Sequence, residues 1–120
     1  MDGNTWRESA QQASHAIGRA VVASAAEEVV AELSEAGRLL DDAQREAMAA
    51  AVLDGTSMRK VAEIAGLAPN SVPPRLARSK SLRPYAADGG ITAADIAVAR
   101  YDAAAGRPPM AFKPRRKDQK

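Results

Sequence analysis

Two adjacent prolines, Pro73 and Pro74, interrupt a stretch from Gly55 to Arg78 that otherwise reads as two short helices joined by a tight turn. They decide where the second helix can start. Val61, Ala62 and Ala65 fall on one face of a first helix, and the small Ala62 lets a second helix cross closely. Gly66 then ends the first helix, because glycine takes the left-handed conformation without a Cβ clash and Leu67 can tuck back under the bend. A proline inside a helix loses a backbone hydrogen bond and strikes the carbonyl four residues back, at about 3 kcal/mol. A helix starting at Pro69 therefore cannot run through Pro73 and Pro74. One starting at Val72 or Pro73 can, since first-turn amides have no intrahelical partner to lose. Asn70 or Ser71 becomes its cap, Val72 and Leu76 anchor its inner face, and it is expected to end between Ser79 and Leu82.

Upstream, Thr5-Trp-Arg-Glu8 has the spacing of a capping box, so a helix is expected to start there. Trp6, Ala10, Ala13, Ile17, Val21, Ala25, Val29 and Leu33 recur every three or four residues and predict one long helix to about Ala36. Gly18 is a place where it can kink, and Gly37 is the expected stop. Asp41 reads as the cap of the next helix, with Ala43, Ala47, Ala50, Ala51 and Leu53 on its inner face. Asp54-Gly55 marks the following turn, and Thr56 or Ser57 caps the helix after it. Thr92 with Asp95 opens a final helix to about Ala104, and Tyr85 and Tyr101 are expected to pack on the core. The apolar alternation across Arg83 to Ile91 is too brief to support a hairpin wing.

These signals predict an all-α chain: a trihelical helix-turn-helix domain with a long N-terminal helix and one further C-terminal helix. The expected domains are residues 1–37, a supporting or dimerising helix; 38–105, the helix-turn-helix domain; and 106–120, a basic tail whose prolines and charges cannot bury enough surface to order it alone. Apolar residues make up 46% of the chain but most are alanine, and only 3% are aromatic, so the core is thin and self-association is a natural reinforcement.

Charge is unevenly spread. Residues 1–54 carry four Arg against ten Asp and Glu, a net −6, whereas 55–85 carry six Lys and Arg against Glu63, a net +5. Residues 86–105 return to −2 and 106–120 reach +5. Both basic blocks coincide with segments that have an independent reason to meet phosphate.

Leu40-Asp-Asp-Ala-Gln-Arg-Glu-Ala47 followed by Asp54-Gly-Thr-Ser-Met-Arg-Lys-Val-Ala-Glu-Ile-Ala-Gly-Leu-Ala68 resembles the DNA-binding C-terminal region of sigma-70-type factors. Val61 to Ala68 is also similar to the head-piece of LacI-type repressors. The resemblance covers residues 40–78 and implies DNA binding through the second helix. In LacI-type proteins the residues just after the turn reach base edges, which would match Pro69, Asn70 and Pro74 here. Pro73-Pro74 departs from both families, where the helix continues, and the changed register shifts the expected base contacts toward Arg75 and Arg78. At this length a complete sigma factor is not expected.

The candidate DNA-binding residues are Ser57, Arg59, Lys60, Asn70, Ser71, Arg75, Arg78, Lys80 and Arg83. Arg75 and Arg78 can fork onto guanine O6 and N7 while Lys80 and Arg83 hold phosphate; as ordinary solvated charges they would do neither. Lys113, Arg115, Arg116, Lys117 and Lys120 form either an arm along the backbone or minor groove, or a solubilising terminus. The expected function is sequence-specific binding of double-stranded DNA, as a dimeric transcriptional regulator. The alternative is a helical interaction module, an accessory of transcription, plasmid maintenance or phage DNA packaging, with a protein partner on residues 5–36.

Enzymatic chemistry is not expected. His15, the one histidine, has no nucleophile, carboxylate or metal-ligand partner at useful spacing, and the adjacent pairs Glu27-Glu28 and Asp41-Asp42 diverge on a helix. Gly89-Gly90 alone is a turn, so no phosphate loop, cofactor or metal is implied. The absence of cysteine fits a reducing, cytoplasmic setting, and nothing reads as a signal peptide or membrane span.

Overall fold

The computed structural model describes residues 4–106, and they form an all-α structure. Five α-helices follow in order: α1 (Asn4–Val22), α2 (Ala26–Leu53), α3 (Met58–Ala65), α4 (Val72–Ala77) and α5 (Ala93–Ala104), with short 3-10 helices at Pro69–Ser71 and Arg83–Tyr85. No described helix is long and apolar enough to cross a membrane. Among the described residues the chain divides into two compact units, 4–47 and 48–106.

The first unit is a helical hairpin. α1 runs unbroken through Gly18, and the expected single long helix breaks instead at Ala23, Ser24 and Ala25. No glycine or proline marks that point. The gain is tertiary: folding back buries Ala13, Ala16 and Ala20 of α1 and Ala36 and Leu39 of α2, and Arg19 Nε donates to Glu32 Oε1 across the pair at 3.0 Å. Glu27 and Glu28 sit in the first turn of α2, where carboxylates favour the positive end of the helix.

Three further expectations change here. α1 already includes Asn4, so Thr5 lies inside the helix, and its side chain is outside the described residues. α2 passes through Gly37 without stopping. Asp41 is therefore not a cap: it and Asp42 lie mid-helix and pair with Arg45, while Arg38 bridges Glu35 and Asp42. The Arg38 guanidinium holds the Glu35 carboxyl below its usual range. The exposed pairs of Arg38 contribute little to stability.

In the second unit the final turns of α2 supply Met48, Ala49 and Val52 to a core completed by Val61, Ala62, Val72, Leu76, Leu82, Tyr85, Ile91, Ile96 and Ala99. Of the expected inner face, Ala43 is buried while Ala47, Ala50, Ala51 and Leu53 are half-buried, because Met48, Ala49 and Val52 take the inward positions. Gly55, at φ 116°, turns the chain into α3. α5 is opened by a capping box in which Thr92 Oγ1 accepts from Asp95 N–H at 3.1 Å and Asp95 Oδ2 accepts from Thr92 N–H at 3.0 Å.

Polar groups tie α5 to the rest of this unit. Arg100 Nε donates to the Val52 carbonyl at 2.8 Å, which also accepts from Gly55 N–H, and its Nη2 donates to the Thr56 carbonyl at 3.3 Å, so α5 holds the turn between α2 and α3. Tyr85 is buried and its hydroxyl donates to the buried Asp102 carboxylate at 2.7 Å. Tyr101, expected in the core, is exposed instead, because Ala99 and Asp102 occupy the inward face of α5. Asp88 and Gly89, both at positive φ, make a tight turn closed by a lone bridge between Ala87 and Gly90, with no wing among the described residues.

Two glycines have opposite expected effects. Gly18 is mid-helix with open space where a Cβ would stand, so Gly18→Ala should raise the unfolding free energy by about 1 kcal/mol. Gly66 sits at φ 73°, so Gly66→Ala should lower it by about 1 kcal/mol or more. Urea unfolding followed by circular dichroism measures both.

Candidate functional site

The segment from Ser57 to Arg83 is built on local signals. Ser57 caps α3: its Oγ accepts from Lys60 N–H at 3.1 Å. At the other end Gly66 N–H bonds to the Glu63 carbonyl at 3.3 Å and Leu67 N–H to the Ala62 carbonyl at 2.9 Å, the paired bonds of a Schellman turn. Leu67 packs against the core, which fixes the direction in which the chain leaves α3.

The prolines are accommodated as the amide argument requires, in two steps. Pro69 opens a 3-10 helix, Pro69–Ser71, and α4 starts directly after it at Val72 with Pro73 and Pro74 in its first turn. Ser71 stands at the cap position of α4, but no side-chain bond caps this helix, and Asn70 belongs to the 3-10 helix. The 3-10 helix takes over the work of a cap: Ser71 N–H bonds to the Ala68 carbonyl, and Val72 N–H to the Pro69 carbonyl. Val72, Leu76 and Ala77 of α4 are buried, and α4 packs against α3.

α4 ends at Ala77, earlier than the expected Ser79 to Leu82. The cause is Ser79. Fully buried, it donates from Oγ to the Leu76 carbonyl at 2.8 Å and accepts there from Leu82 N–H at 3.1 Å. A hydroxyl that bonds the backbone on both sides competes with helix continuation. It also holds the loop carrying Lys80 and leads it into Arg83.

The candidate residues among the described ones thus fall in four groups. Ser57, Arg59 and Lys60 are exposed at the start of α3, with Lys60 Nζ 3.4 Å from Glu63 Oε1. Asn70 is exposed on the 3-10 helix, whereas Ser71 is half-buried there. Arg75 is half-buried on α4 and has its own partner in the fold, while Arg78 is exposed immediately after the helix. Lys80 and Arg83 are exposed on the segment that follows. Arg59, Arg78 and Arg83 have no ion-pair partner among the described residues. Lys113, Arg115, Arg116, Lys117 and Lys120 lie outside the described residues.

Ser79, Arg100 and the Tyr85–Asp102 pair are the positioning residues that sequence reasoning missed. Their partners are backbone groups or side chains of other elements, and nothing in their spacing announces them. Comparison with known protein families, with curated proteins and with solved structures gave no match to this chain.

Ser79→Ala should lower the unfolding free energy by about 1–3 kcal/mol, since it leaves the buried Leu82 N–H without its acceptor. Denaturant titration checks this, with hydrogen exchange at Leu82 as the local readout.

Proposed function

We propose that the chain binds double-stranded DNA sequence-specifically, with α3 and α4 as a helix-turn-helix and α4 as the reading helix, acting as a dimeric cytoplasmic transcriptional regulator. The observation that carries this reading is the juxtaposition of a rigidly turned helix pair with cations. α4 follows the Schellman turn closely and buries one face, and Arg78, Lys80 and Arg83 come directly after it, all exposed.

In this reading the segment from Pro69 to Arg78 enters the major groove. Asn70 at its start suits adenine N6 and N7, and Arg78 at its end suits guanine O6 and N7. Arg75, half-buried and already held within the fold, has less reach than Arg78, so it serves to orient the helix face as much as to read it. Arg59, Lys60, Lys80 and Arg83 meet phosphates, whose neutralisation releases counterions and supplies affinity without sequence information. A dimer places two such segments on two half-sites, so a site with approximate two-fold symmetry is expected.

Selection of bound sites from random duplexes should return an enriched motif, and binding to it should fall steeply with salt. Arg83→Ala should weaken specific and non-specific duplexes alike and reduce the salt slope by about 1. Arg78→Ala should cost about 1–3 kcal/mol on the selected site and relax preference at one position. Full specific binding by a folded Arg75→Ala/Arg78→Ala double variant would overturn the assignment of α4.

A further inference from the structure

The helical hairpin of the first unit leaves a largely apolar face open. In α1 the inward residues are Ala13, Ala16 and Ala20, and in α2 they are Val29, Glu32, Ala36, Leu39 and Ala43. The residue after each of these is turned about 100° onward around its helix. Because the two helices run antiparallel, that turn brings both sets to the same side of the hairpin. They are Ser14, Ile17 and Val21 on α1, and Val30, Leu33, Gly37, Leu40 and Gln44 on α2.

All eight are exposed and none is charged. On both helices they recur at alternating intervals of three and four, the spacing of a coiled-coil seam. Of the large apolar residues that the hairpin exposes, only Val22, at the end of α1, is off this face.

We propose that a second copy of this chain covers this face, joining two hairpins into a four-helix bundle. Ile17 is 40% exposed, Val21 77%, Val30 64%, Leu33 50% and Leu40 49%. Five aliphatic side chains so placed present on the order of 500 Å² of apolar surface, at the upper end of what a monomer leaves open. Two copies bury at most about 1,000 Å² from these side chains, the minimum that a specific interface must clear, and the flanking residues add to it.

The chemistry of the face selects the occupant. Its eight central residues carry no charge to recognise an acidic or basic partner; Arg7, two turns before Ser14 at the start of α1, is the one charge on the continued stripe. Seams of the same spacing on both helices make it self-complementary about a two-fold axis, where each residue meets the same surface on the other copy. Gly37, mid-seam with open space around its Cα, lets the facing helix approach closely there. The alanine-lined interior of the hairpin explains why the larger side chains are outside: the small residues bring α1 and α2 together, and the bulk remains for a further layer.

Sedimentation equilibrium on the full chain tests this without reference to DNA. The parent should sediment at twice the 12.6 kDa chain mass in the micromolar range. Leu33→Lys should weaken dimerisation at least a hundredfold, and Ala31→Lys, on the opposite flank of α2, should leave it unchanged. Because the chain has no cysteine, single Leu33→Cys, Gly37→Cys and Leu40→Cys variants supply a second measurement that does not require the lysine variant to fold. At least one should form an intermolecular disulfide under mild oxidation, and Ala31→Cys should not. A parent that is monomeric throughout, a Leu33→Lys protein that dimerises as tightly as the parent, or cross-linking at Ala31 as readily as on the seam would overturn the proposal.

Discussion

One backbone hydrogen bond, from Leu67 N–H to the Ala62 carbonyl, governs the half of the molecule that carries the candidate site. It forms only because Gly66 turns to φ 73°, and it aims the chain so that Pro69 starts a new helical turn at once. The burial of Val72 and Leu76 follows from that aim, and so does the exposure of Asn70 and Arg78. With alanine filling much of the interior, hydrophobic contact alone leaves many neighbouring arrangements close in energy. The turn chooses among them before the core is complete.

What could be read from the sequence is what a few neighbouring residues determine. Ser57, Gly66, Thr92 with Asp95, and the start of α4 at Val72 each rest on a cap, a φ angle or a missing amide, and each stands where local chemistry puts it. Most of the errors have a different origin. The break at Ala23 to Ala25 and the passage of α2 through Gly37 are settled by packing between distant segments. Bulk was also a poor guide to the inward face: Ile17, Val21 and Leu33 carry the strongest apolar signal in the first unit and are exposed, while Ala13, Ala16 and Ala20 are inside. In the site the cations were visible as residues, but Ser79, which places two of them, was not: its partners Leu76 and Leu82 are near in sequence, yet nothing local shows that its hydroxyl is buried between them.

Buried polar groups hold the second unit together where apolar area is scarce. Arg100 reaches two main-chain carbonyls, Tyr85 meets Asp102, and Ser79 bonds the backbone on both sides. Each is directional, and each penalises a slipped alternative by leaving a buried donor or acceptor unmatched. A few such bonds confer on a small-residue core the definition that larger side chains would otherwise provide.

The three prolines between Pro69 and Pro74 have a consequence beyond where α4 begins. Each fixes its own φ and narrows the choices of the residue before it, so the disordered chain samples few backbone states in this segment. Little conformational entropy remains to be lost when the segment is fixed against another surface. In the proposed DNA-binding role, such an element is rigid before it meets its target. Whatever contacts it makes go toward affinity, with little diverted to ordering the backbone that carries them.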